Sequence, residues 1–160
     1  MLNDIESLMD DMLEQLKVLI PSYITKINTE KEDIILKDWQ VHTDAYFLDV
    51  IKGDFPPYKA SLLLYTVGSP SVISHEKSFD CIETYTLGLT VILADDFKDT
   101  FFRVKKRFNR ILKNVITKDF VRRYNMHSIK YLKPMDQVII SPNGAAYVVA
   151  DNHFAVTIVN

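Results

Sequence analysis

Residues 82–116 read IETYTLGLTVILADDFKDTFFRVKKRFNRILKNVI, and the spacing of their apolar residues changes once, at Asp95-Asp96. Before the aspartates, Ile82, Thr84 and Thr86 alternate with Tyr85, Leu87 and Leu89, and the run continues into Val91, Ile92 and Leu93. Strand side chains alternate between two faces, so this is a strand with one apolar face. After the aspartates, Phe97, Phe101, Val104, Phe108, Ile111 and Val115 follow at intervals of four, three, four, three and four. That is the period of a helix with one buried stripe. Arg103, Lys106, Arg110 and Lys113 fall on the opposite side, with Arg107 at its edge. Asp95-Asp96 is an acid pair of the type used in metal or acid–base chemistry, but its place just before Phe97 favours a helix cap. A strand and a helix that each carry an apolar face imply a sheet with a helix packed on it.

Toward the N-terminus, residues 3–20 form a first helix. Asn3 or Asp4 caps it, and Ile5, Leu8, Met12, Leu16 and Leu19 make its stripe, widened by Met9, Leu13 and Ile20. Pro21 ends the helix, and a short extended piece follows over 23–27. Residues 28–38 read as a loop and a short strand on Ile34-Ile35-Leu36. Tyr46, Leu48 and Val50 suggest a strand within 39–50, and Phe55-Pro56-Pro57-Tyr58 interrupts regular structure. A strand over 61–67 is broken by Gly68-Ser69-Pro70-Ser71. Residues 72–80 form a long polar connection, read as a mobile loop.

Toward the C-terminus, residues 118–131 are basic and mixed, a helical tail and a loop. A strand over 137–140 leads into the turn Ser141-Pro142-Asn143-Gly144. Two strands, 147–150 and 154–159, are split by the turn pair Asp151-Asn152. The fold class is α+β: a mostly antiparallel β-sheet with an N-terminal helix and one long central amphipathic helix packed on it. The 160 residues, 48% of them apolar and 25% charged, suit one domain over 1–160.

The net charge of −2 conceals an asymmetry. Residues 1–54 hold twelve acids and five bases, whereas residues 98–123 hold ten bases and two acids. Such segregation suits a polyanion or the joining of one copy to the next. The stretch Lys105-Lys106-Arg107-Phe108-Asn109-Arg110 is its densest part. It can meet nucleic-acid phosphates, the acidic third of a neighbouring copy, or solvent. Phe101 and Phe108 lie on the core stripe and are not available to stack on bases.

Catalytic signals are weak. His42, His75, His127 and His153 have no second ligand at metal spacing, and Cys81, the one cysteine, reads as a small core residue. With no glycine-rich strand–helix junction there is no phosphate cradle. A non-enzymatic role without cofactor or metal is expected. The acidic N-terminus lacks the basic region of a signal peptide, and no run approaches the length of a membrane span.

The order of elements resembles the tail terminator and tail-completion, or head–tail joining, proteins of tailed bacteriophages and related contractile particles. The likeness rests on the N-terminal amphipathic helix, the proline-marked entry Phe55-Pro56-Pro57-Tyr58, and the Tyr-rich strand Glu83-Thr84-Tyr85-Thr86-Leu87-Gly88-Leu89-Thr90-Val91 followed by one long helix. The turn Ser141-Pro142-Asn143-Gly144 and the closing strands complete it. The resemblance implies a homo-oligomer, a hexameric ring that caps the tail tube protein, stops its elongation and offers a surface to the head–tail connector. It implies assembly in the host cytoplasm, a place in the virion neck, passage of or contact with DNA, and no membrane. Arg103, Lys106, Arg107, Arg110 and Lys113 are then candidate contacts to a neighbouring subunit or a polyanion. Val72, Ile73, Ser74, His75, Glu76 and Lys77 are candidates for a tube- or lumen-facing loop. Another connector or neck protein, or a nucleic-acid-binding module using residues 98–123, is the alternative.

Overall fold

The computed structural model describes residues 4–33, 36, 40–42, 60–74, 81–94, 101–124, 129–131, 135–140 and 146–159. Helix α1 spans Ile5–Glu30. Asp4 starts it: Oδ1 accepts from the Ser7 amide at 2.8 Å, satisfying one of the donors that a helix start leaves open. Leu8, Met12, Leu16, Ile20, Ile24 and Ile27 are buried along it. The helix therefore runs past Pro21, where the sequence reading ended it and placed an extended piece over 23–27. A proline inside a helix costs ~3 kcal/mol. Burying Ile24 and Ile27 contributes about 1.5–3 kcal/mol each, so packing outweighs the proline. Pro21 sits on the exposed side, and Thr25 Oγ1 donates to its carbonyl at 3.0 Å.

Past α1, the Asn28 side chain holds Leu36 at both backbone groups. Nδ2 donates to the Leu36 carbonyl at 3.0 Å, and Oδ1 accepts from the Leu36 amide at 2.8 Å. Leu36 is buried in the core without belonging to a strand, because one side-chain amide supplies the two bonds a neighbouring strand would have made. Ile34 and Ile35, the rest of that expected strand, lie outside the described residues.

Among the described residues six strands form one sheet: β1 (Gln40–His42), β2 (Ala60–Ser74), β3 (Cys81–Ala94), β4 (Ile129–Tyr131), β5 (Met135–Ile140) and β6 (Ala146–Val159). The order is β1-β2-β3-β6-β4, with β5 also paired to β6. Among the described strands β1 and β2 run parallel, and the other pairs are antiparallel. The α+β reading holds. Of the strand expected within 39–50, residues 40–42 are β1 and 43–50 lie outside the described residues.

Two expected breaks are absent. β2 does not stop at Gly68-Ser69-Pro70-Ser71: Val67 pairs with Thr86, and pairing resumes with Ser71 against Thr84. Gly68 takes φ 67°, a conformation open to glycine, and lets the extra residues leave the ladder as a bulge. Pro70 has no amide proton to lose there. Val72, Ile73 and Ser74 then pair with Glu83, Ile82 and Cys81, so they belong to a strand rather than to the long loop expected over 72–80. Likewise β6 runs unbroken through Asp151-Asn152. Asn152 is buried and its Nδ2 donates to the Leu89 carbonyl at 3.4 Å, so a turn-forming residue is satisfied inside the sheet. The turn 141–144, the pair Asp95-Asp96, Phe97 and the Phe55–Tyr58 stretch lie outside the described residues.

Helix α2 covers Phe101–Asn114, continues as a π-helical segment Val115–Phe120, and closes with Val121–Arg123. Val104, Phe108, Ile111 and Val115 are buried as their period requires. On an uninterrupted α-helix the next positions of that stripe are 118–119 and 122, which carry Lys118, Asp119 and Arg122. The wider i→i+5 turn absorbs an extra residue and brings Phe120 and Tyr124 onto the core instead. There the Phe120 ring meets Tyr124 with centroids 5.4 Å apart and Phe154 at 6.2 Å. Both helices cover the sheet face that carries Leu62, Leu64, Leu87, Leu89, Val91, Phe154, Val156 and Ile158. No helix among the described residues is long and apolar enough to cross a membrane.

Candidate functional site

Among the described residues the surfaces with chemistry are the two helices and the far face of the sheet. Ion pairs join early α1 to late α2 and late α1 to early α2, so the helices lie antiparallel. At one end Arg123 Nε and Nη2 reach the two Asp11 oxygens at 3.0 and 3.2 Å. Midway, the Tyr23 hydroxyl donates to Asp119 Oδ2 at 2.6 Å. At the other end Arg110 approaches Glu30 at 4.0 Å, and Asp33 takes Arg103 at 3.1 Å and Arg107 at 2.6 Å.

These pairs leave marks on the titrating groups. The Arg107 hydrogen bond holds the Asp33 carboxyl below its ordinary value, with Arg107 charge and the Arg103 bond adding to it. The Arg123 hydrogen bond does the same for Asp11, and Asp11 in turn raises Arg123. Burial, then the bond to Asp119, pushes the Tyr23 phenol up to about 12. Burial also raises Tyr124.

The five cations expected on the helix surface are divided by this arrangement. Arg107 is not on the rim: its side chain is 10% exposed and is bound to Asp33. Arg103 and Arg110 are exposed but share carboxylates within the chain, and Lys106 and Lys113 face outward. Charge segregation was legible in sequence, but Asp11, Glu30 and Asp33 as internal partners were not, because their nearness to α2 exists only in the antiparallel pairing. Between α1 and the π segment lies an open groove of about 380 Å³, lined by Gln15, Leu19, Asp119, Phe120, Arg122 and Arg123.

The far face of the sheet carries a polar cluster beside the buried Leu63. Tyr65, Gly88 and His153 lie level on β2, β3 and β6. The Tyr65 ring lies across Gly88, its hydroxyl 3.4 Å from His153 Nε2, with the Thr90 hydroxyl 3.5 Å away. Thr84 and Thr157 share a hydrogen bond at 3.2 Å on the same face. The histidine was visible in sequence. Its partner was not, because the contact spans three strands. Of the expected loop, Val72 is 55% exposed at the outer end of β2. Ile73 and Ser74 continue that strand, and His75, Glu76 and Lys77 lie outside the described residues. Cys81 opens β3 opposite Ser74. Among the described residues no three His, Cys, Asp or Glu side chains gather as a metal site.

The described residues form an α+β fold with two antiparallel helices on one face of a long-stranded sheet. No family model matches the chain, and no curated protein matches it.

Proposed function

We propose that this protein is a structural subunit of tailed bacteriophages or related contractile particles and acts as a tail terminator. Copies form a ring, a hexamer by the family's pattern, that seats on the last ring of the tail tube, stops elongation and presents its other face to the head–tail connector. The activity is steric capping, without a reaction or a cofactor.

The observation that supports this most is the outer half of β2. Among the described strands β1 pairs with β2 only at Ser61–Leu63, so the outer half of β2 has no described strand on that side; Leu62–Leu64 are buried, whereas residues 66 and 68–72 are exposed. Residues 66–74 run beside 81–87 of β3 for about 20 Å at about 3.3 Å per residue, because the bulge takes two residues out of the ladder. An exposed sheet edge of that length suits contact with a neighbouring ring. The basic helix as a nucleic-acid surface is weaker, since Arg103, Arg107 and Arg110 already bind carboxylates of the same chain.

The test is tube growth watched by electron microscopy with the cognate tube protein. Added protein should cap one end as a ring and fix tube length. Val72→Arg should leave the fold intact and abolish capping. Tubes that lengthen unchanged in the presence of folded wild-type protein would refute the terminator reading.

A further inference from the structure

We infer that the Gly68-Ser69-Pro70 bulge guards the outer edge of β2 against pairing with a strand of a second copy, a role that goes beyond capping and does not depend on it. An uncovered edge carries a row of backbone donors and acceptors to which another strand can add. Beyond Leu63, β2 has no described strand on its β1 side, and residues 66 and 68–72 are exposed.

The sequence of this edge makes it a hazard. Residues 60–74 read ASLLLYTVGSPSVIS, a strand of 15 residues without one charge. The other two long strands each carry an acid, Glu83 in β3 and Asp151 in β6. Apolar strand segments of low charge are those that add to one another across chains. Charged side chains are a common defence on an edge, and β2 has none. It has instead a proline and a bulge, two other devices that spoil an edge for pairing. Pro70 offers no backbone donor, and Gly68 at φ 67° turns the chain out of its extended line.

The register shows the bulge to be an addition to an otherwise regular ladder. Val67 pairs with Thr86 and Ser71 with Thr84, so residues 68–70 stand opposite Tyr85 alone and two residues are in excess. Two is the repeat of a strand, so side chains before and after the bulge keep their faces. Without Ser69 and Pro70, Gly68 would stand opposite Tyr85 and every other pair between β2 and β3 would stay as it is. The extra residues thus alter the open edge and leave the pairing with β3 in place.

The test removes the guard and keeps the rest of the ladder. A variant lacking Ser69 and Pro70 is compared with wild type over a range of concentrations, with circular dichroism to show that each is folded. Sheet formed between chains is read from its infrared band and from thioflavin T fluorescence, which separates edge pairing from a ring built through other surfaces. The deletion variant should form such sheet at a concentration at least about tenfold lower than wild type. Adding Val72→Lys should suppress it again, because a lysine supplies the defence β2 lacks and meets Glu83 across the ladder. Pro70→Val keeps the chain length, returns a donor to the edge and should raise pairing to a smaller extent. A folded deletion variant that pairs no more than wild type overturns the inference, as does pairing that persists once Val72→Lys is added. Should the deletion variant be unfolded, Pro70→Val decides alone, and pairing unchanged from wild type overturns the inference.

Discussion

Gly88→Ala is the substitution whose cost follows most directly from the geometry. A Cβ on Gly88 would lie 2.5 Å from Tyr65 Cε1 and 2.7 Å from the Tyr65 hydroxyl oxygen, closer than carbon tolerates. The β3 backbone is held by ladders on both sides, so the Tyr65 ring must move. It then gives up its edge-on contact with His153, where ring centroids are 6.3 Å apart, and its approach to Thr90. Crowding of this kind costs about 1–3 kcal/mol, and a lost aromatic contact ~0.5–1.5 kcal/mol. Against that, replacing glycine in a strand favours folding by about 0.5–1 kcal/mol. The net expectation is a loss of about 0.5–4 kcal/mol, centred near 2, in urea unfolding, a shift of several degrees in Tm for a chain of this size. In a Tyr65→Ala background the obstacle is gone, and Gly88→Ala should become neutral or stabilising. The two changes should therefore couple by ~2 kcal/mol in a double-mutant cycle. Full cost of Gly88→Ala in the Tyr65→Ala background would refute the steric argument, as would a stabilised single variant.

Pro21→Ala should raise stability by ~1–3 kcal/mol and add helical circular dichroism, because it restores a donor and removes a clash within α1; a loss of stability would show that the helix needs its proline. Asn28→Ala removes both bonds to the Leu36 backbone and should cost about 1–3 kcal/mol, read by chemical denaturation. Tyr23 has a phenol raised from 10.0 to about 12, so its contribution is full below pH 10 and is lost as pH rises toward 12. Tyr23→Phe should flatten stability in that alkaline window, with Tyr124 leaving a residual slope. Asp11 and Asp33 have depressed values, so their contribution is present above the ordinary carboxylate pKa and fades as pH falls below it; Asp33→Asn should flatten the acid side of the stability profile.

The fold class was legible because two periods meet at residues 95–96, and packing the helix on the sheet buries both apolar faces. Element boundaries were harder to read wherever a local breaker was overruled by something distant. Pro21 is overruled by the burial of Ile24 and Ile27, the Gly68–Pro70 break by renewed pairing with β3, and Asp151-Asn152 by a bond to Leu89. In each case the deciding partner lies far away in sequence. The candidate site divides in the same way. The charges of residues 98–123 could be counted from the sequence, but which of them bind inside the chain depended on α1 and α2 running antiparallel. Gly88 could be read as part of a strand, but the reason a glycine is needed there, the Tyr65 ring lying over it, comes from the neighbouring strand.

The π segment at Val115–Phe120 has a consequence for how this gene can change. A helix with one wide turn holds one residue more than its axial length requires. Deleting a single residue there lets the turn close to the ordinary helical width while the aromatic pair Phe120 and Tyr124 stays in place. A deletion of the same size elsewhere in α2 would instead rotate every later side chain by about 100°. The segment is therefore the place in this helix where the chain can lose a codon and keep its packing, and where an ancestral insertion would have been easiest to accommodate.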